Sequence, residues 1–114
     1  MFRGLLLGVL LALASQVTPV NAHPQVMSYD AWRAVKYFPP DQQVTALKIF
    51  YCESQWNTYA IGSAGERGIP QIHPIHFDYY KVTGDQLTYN PELAGIVAYF
   101  IYIEQGWSAW SCYK

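Results

Sequence analysis

The sequence predicts a mostly α fold built as one small domain, and three observations predict it. Apolar residues recur at helical spacing in three segments. A capping residue stands ahead of each segment: Ser28, Asp41 and Asn90. Glycine- and proline-bearing stretches separate them.

Residues 1–22 read as a signal peptide. Arg3 supplies the positive start, Leu5 to Ala14 the apolar centre, and Val20-Asn21-Ala22 a small-residue cleavage site. That apolar run is too short for a bilayer core of ~30 Å, which needs roughly 20 apolar residues. The mature chain expected is 23–114, without a transmembrane segment, secreted or periplasmic. Removing 22 of 114 residues leaves 92, enough for one core. Losing Arg3 takes the formal charge from −1 to −2, so a nucleic-acid partner is not expected. Both cysteines, Cys52 and Cys112, lie in the exported part, where an oxidising compartment permits a disulfide. With only two, the pairing is not ambiguous, and closing a loop of about 60 residues would stabilise by roughly 4 kcal/mol; the alternative is two free buried thiols.

Ser28 caps a short helix reaching Phe38, with Tyr29, Ala31, Trp32 and Val35 at helical spacing, and Pro39-Pro40 ends it. Asp41 caps a second helix over 42–54. On a wheel of 100° per residue with Val44 at zero, Ala46, Phe50, Leu47 and Tyr51 sweep an apolar arc from about 200° to 360°, and Ile49 extends it to about 140°. Glu53 falls near 180°, between Ile49 and Ala46. This glutamate is expected to extend the core-facing stripe at the last turn, where a core opens into a cleft; the alternative is a helix that frays before Glu53 and leaves the side chain in water. Partial desolvation there favours the neutral form of a carboxyl, the form that donates a proton.

Residues 57–72 hold "IGSAGERGIPQI", a loop with Gly62, Gly65, Gly68 and Pro70. A short helix is expected after Pro74, and "VTGD" reads as a turn. Asn90-Pro91-Glu92 gives a cap, a proline at the first helical position and an acidic first turn. The long helix that follows, to Gln105, is apolar almost all round and is expected to be central and buried, closed by Gly106. The tail "WSAWSCYK" returns Cys112, whose disulfide would bring it beside Glu53. Ten tyrosines and four tryptophans exceed what so small a core needs, so some are expected to line a surface groove.

The stretch Glu53-Ser54, Trp56-Asn57, Gly65, Gly68-Ile69, Gln71-Ile72 resembles the glutamate-serine and glycine-leucine-x-glutamine motifs of soluble lytic transglycosylase (SLT-type) domains, in their usual spacing. The resemblance covers roughly 42–112. It implies a lysozyme-like helical fold and cleavage of the β-1,4 bond between N-acetylmuramic acid and N-acetylglucosamine in peptidoglycan glycan strands. It also implies roles. Glu53 is the sole catalytic acid, Ser54 steadies its helix, and Gln71 faces the cleft, with Ile69 and Ser54 beside the substrate. Gly65 and Gly68 shape the loop, and Tyr99 or Tyr102 stands at the family's cleft tyrosine. Gly62 replaces a serine common in relatives near the substrate, Pro70 an apolar residue, and Ala94 an asparagine. With 92 residues the domain is shorter than most relatives, so the cleft is expected to be shallow.

Hydrolysing glycosidases usually need two carboxylates, whereas this family needs one. Glu66 is the candidate second carboxylate, which keeps goose-type-like hydrolysis open; the alternative is a solvated loop pair with Arg67. Trp107 and Trp110 read either as sugar-stacking rings or as packing under the disulfide. His73, His76 and Asp78 offer three metal-type ligands without a fourth. A copper site at His23 lacks its remaining ligands, and no Ser-His or phosphate-cradle motif appears. No cofactor is expected. The rival reading is a catalytically silent module that binds wall glycan or docks to an envelope or phage assembly partner.

Overall fold

A computed structural model describes residues 27–113. The expected signal peptide over 1–22 and His23 lie outside the described residues. Among the described residues five α-helices follow in order: α1 Tyr29–Val35, α2 Pro40–Ser54, α3 Phe77–Tyr80, α4 Gly84–Tyr89 and α5 Pro91–Gln105. Short 3-10 turns precede α3 (Pro74–His76) and form the tail (Trp107–Ala109, Ser111–Tyr113). Among the described residues there is no strand, only two isolated antiparallel bridges, Ile61 to Arg67 and Arg67 to Ile72. No described helix is long and apolar enough to cross a membrane.

The caps explain most boundaries. Ser28 accepts a hydrogen bond from the Ala31 amide (3.0 Å) and starts α1. Asn90 accepts one from Leu93 (3.1 Å) and starts α5, with Pro91 at its first position. Asp41 is not a cap. Pro39 holds that position with no side-chain bond, and Asp41 lies in the first turn of α2, where its charge meets the positive end of the helix dipole. "VTGD" is more than a turn. Thr83 and Gln86 form a reciprocal capping box that opens α4.

The buried faces also differ from the expectation. α1 buries Ala31, Ala34 and Val35, while Tyr29 and Trp32 are exposed. The cause is α5, which crosses α1 at Gly95. A methyl group there would run into the backbone of Ala34, so the interface admits only small side chains. α5 buries Ala94, Gly95, Val97, Ala98 and Ile101, but Phe100 and Ile103 face outward. It is a central helix with one wet face rather than one buried all round.

The core gathers around Phe38, Phe50 and the tail tryptophans. Trp107 stacks on Phe38 with ring centroids 5.4 Å apart, and its indole N–H donates to Gln42 in the first turns of α2 (2.8 Å). The Trp110 indole N–H donates to the Pro70 carbonyl in the loop (2.8 Å). Cys52 and Cys112 are joined, with Cα atoms 6.0 Å apart. Two buried indoles and one covalent bond thus clasp the tail along α2.

Candidate active site

α2 runs unbroken through Ser54 and stops because Gln55 turns left-handed at φ 54°. Its buried positions are Ala46, Ile49 and Phe50, whereas Val44 is exposed. The apolar arc is therefore narrower than the sequence predicts, and Glu53, near 180° on the wheel, falls close to its middle. The last turn of α2 thereby aims Glu53 along the core face at the point where the core ends. There the half-buried carboxylate lines a groove of about 210 Å³. Two donors from the tail reach its Oε2: the Cys112 amide at 3.0 Å and the Ser111 hydroxyl at 3.3 Å. The disulfide at the neighbouring position of α2 holds those donors in place.

Another part of the groove wall comes from the glycine-rich loop. Gly65 and Gly68 adopt φ of 90° and 76°, and Gly68 packs so closely on the Leu87 carbonyl that a Cβ would lie 2.6 Å from its oxygen. That turn presents Gln71, itself left-handed at φ 53°. Gln71 Nε2 donates to the carbonyls of Ala60 (3.1 Å) and Gly68 (2.9 Å), which fixes the amide in the groove wall. Gly62 has a packing reason to be glycine. A side chain there would meet the Glu66 carboxylate and come 2.6 Å from Gln71 Oε1, so its absence lets these two side chains converge. Glu66 lines the groove, and its Oε1 accepts a hydrogen bond from the Ala64 amide (3.0 Å). It does not form the loop pair with Arg67, because Arg67 turns to Asp85 at 3.2 Å.

The groove thus brings together Glu53, Glu66 and Gln71, with Gly62 packed behind the last two. Ser54, Ile69, Tyr99, Tyr102 and Trp107 lie elsewhere. The Ser54 hydroxyl donates to the Ile69 carbonyl (2.7 Å) and ties the end of α2 to the loop. Ile69 is fully buried, Tyr99 and Tyr102 pack against Phe38, and Trp107 lies in the core.

Sequence reasoning missed other groove residues: His73 and His76 after Gln71, and Ala109 and Ser111 beside Trp110. The signal for the histidines was their place in "QIHPIH", immediately after the motif glutamine. Burial, and next the neighbouring His73, lowers the His76 pKa below the usual histidine range, against an opposing pull from Glu104. His73 accepts the Ile75 amide on Nδ1 (3.1 Å), and the described residues contain no cluster of three metal-type ligands.

A carboxyl group held by two donors on one oxygen, in a groove also lined by a fixed amide and the Trp110 ring, is positioned to exchange a proton with a ligand in that groove. The family profile described as the transglycosylase SLT domain matches residues 30–101, which include both motifs and all of the groove except its tail wall. No curated protein and no solved structure matches the chain.

Proposed function

Since this chain belongs to the transglycosylase SLT domain family, and so to a peptidoglycan-directed group of lytic-transglycosylase type, we propose that it cuts the β-1,4 bond between N-acetylmuramic acid and N-acetylglucosamine with Glu53 as its acid. The observation that supports this reading is the position of Glu53. It ends the buried stripe of α2 inside a groove, with Oε2 engaged by Cys112 and Ser111 and no described hydrogen bond on Oε1.

In this reading the transferable proton sits on Oε1. It passes to the glycosidic oxygen as the bond from that oxygen to the muramyl C1 breaks, and the muramyl N-acetyl group stabilises the positive centre left at C1. The Glu53 carboxylate then takes the proton of the muramyl 6-hydroxyl while that oxygen bonds to C1, which leaves a 1,6-anhydro end and consumes no water. Gln71 orients the sugar, and the two donors to Oε2 hold the acid in one rotamer, so the chain contributes positioning as well as proton transfer. The activity belongs outside the cytoplasm, where the disulfide persists.

One observation supports a second reading. Glu66 lines the same groove, so a second carboxylate is available to activate water and give a reducing end. Mass analysis of muropeptides released from purified peptidoglycan by the mature protein separates the two. Anhydro ends are expected, and Glu53→Gln is expected to lower release about 10²- to 10⁴-fold with an unchanged melting temperature. Reducing ends that vanish in Glu66→Gln would favour hydrolysis. Release that is indifferent to Glu53 would leave only a glycan-binding module.

A further inference from the structure

α5 keeps an apolar face in solvent. Phe100 is 49 % exposed and Ile103 55 % exposed, on a helix whose other faces are packed. α3 lies beside this face and adds Tyr79, 69 % exposed, and Tyr80. The Tyr80 and Phe100 rings are nearly parallel, 23° apart with centroids at 6.5 Å, and Tyr79 stands perpendicular to Tyr80 at 4.8 Å. Both tyrosine hydroxyls donate to one carboxylate, Glu104: Tyr80 at 2.9 Å and Tyr79 at 3.3 Å. Burial and the Glu104 hydrogen bond push Tyr80 up to about 12, so its phenol remains a donor across the ordinary pH range. The rings are therefore held in place before any ligand arrives, which removes part of the ordering cost of binding.

The platform adjoins the groove. His76 lines the groove wall, and its ring lies 6.5 Å from that of Tyr80. The groove holds about 210 Å³, below the roughly 300–1,000 Å³ typical of small-ligand pockets. A polymeric glycan cannot fit inside it and must continue across the adjoining surface. A pyranose has an apolar C–H face and a rim of hydroxyls. Exposed rings bordered by a carboxylate match both parts.

We infer that Tyr79, Tyr80 and Phe100 form a second saccharide site, which receives the glycan strand where it leaves the groove past His76. The site rests on the glycan reading above and deepens it. It stacks one or two sugar rings and makes the protein favour long strands over short ones.

The test titrates chitohexaose, a β-1,4-linked N-acetylglucosamine hexamer, into the mature Glu53→Gln protein and follows binding by calorimetry. Adding Tyr79→Ala, and separately Phe100→Ala, is expected to weaken binding about tenfold each, while Tyr79→Phe, which keeps the ring but loses the Glu104 bond, restores most of it. Tyr79 is exposed enough that its variant should fold, and a matching melting temperature checks this. Binding unchanged by both alanine variants, or no binding to the Glu53→Gln parent, overturns the platform. The muropeptide assay judges the catalytic reading separately: anhydro ends together with chitohexaose binding that ignores Tyr79 and Phe100 would sink the platform and keep the enzyme.

Discussion

At the crossing of α1 and α5, Gly95 meets the Ala34 backbone with no room for a methyl group. At the far end of α2, Glu53 meets the tail through two hydrogen bonds, with an open groove on its other side. The crossing joins two helices through small apolar surfaces. The groove joins the end of α2, the 57–72 loop, the Pro74–His76 turn with its cap His73, the tail and Ile101 of α5, mostly through single polar contacts and one disulfide. The crossing and the acid thus sit on different elements, with α5 touching both through Gly95 and Ile101. Gly95 lies more than a helical turn before Ile101 on α5, so the crossing can weaken locally without moving Glu53, whereas the groove loses its geometry if any one of its segments drifts.

The largest effect should come from opening the clasp. Replacing both cysteines, Cys52→Ser with Cys112→Ser, frees a 60-residue separation and should cost about 4 kcal/mol in a denaturant melt. Glycan cleavage should fall further than the folded fraction does, because the Cys112 amide and Ser111 hydroxyl leave Glu53 together. Full activity at a temperature where the variant is folded would break the contrast.

Gly95→Ala should come next, at about 1–3 kcal/mol, because the overpacked crossing must open against a backbone. The intrinsic helix preference for alanine, up to about 1 kcal/mol, offsets part of that cost. Here the contrast predicts a lower melting point with cleavage unchanged at low temperature. An unchanged melting point would mean that the helices separate without penalty.

The smallest effect concerns His76. Its folded-state pKa lies below the usual histidine value, chiefly through burial, so the unfolded chain takes up a proton first as the pH falls. Stability should then decline below about pH 6.5 and level off once the folded-state histidine is also protonated. His73 and Glu104 are the titratable groups that act on it. Melting temperatures between pH 7.5 and 5 should fall less steeply in His76→Gln than in the parent, and identical slopes would count against the shift.

Much of the fold was legible because its signals are local. Ser28, Asn90-Pro91 and Gly106 mark helix ends by their own chemistry, and two cysteines leave one pairing. The Thr83 to Gln86 capping box was equally local, but Gly84 at the first helical position disguised it as a turn. The outward Tyr29 and Trp32 were not legible, because a seven-residue helix carries too few turns to reveal which face its neighbour needs, and Gly95 lies 60 or more residues away. Glu53 could be placed by periodicity within α2. Gln71 and Glu66 depended on the resemblance and on the loop between them. The tail donors to Oε2 and the His76 wall depended on contacts between distant segments, which no periodicity encodes.

The Cys112 amide that meets Glu53 belongs to the residue whose sulfur is bonded to α2. With two thiols there instead, as in a reducing interior, the tail donors to Glu53 are held by the Trp107 and Trp110 contacts without a covalent tie. On the proposed reading of an exported, glycan-cutting chain, thiol oxidation would then serve as a safety catch that tightens the hold on the acid only after the chain has left the reducing compartment.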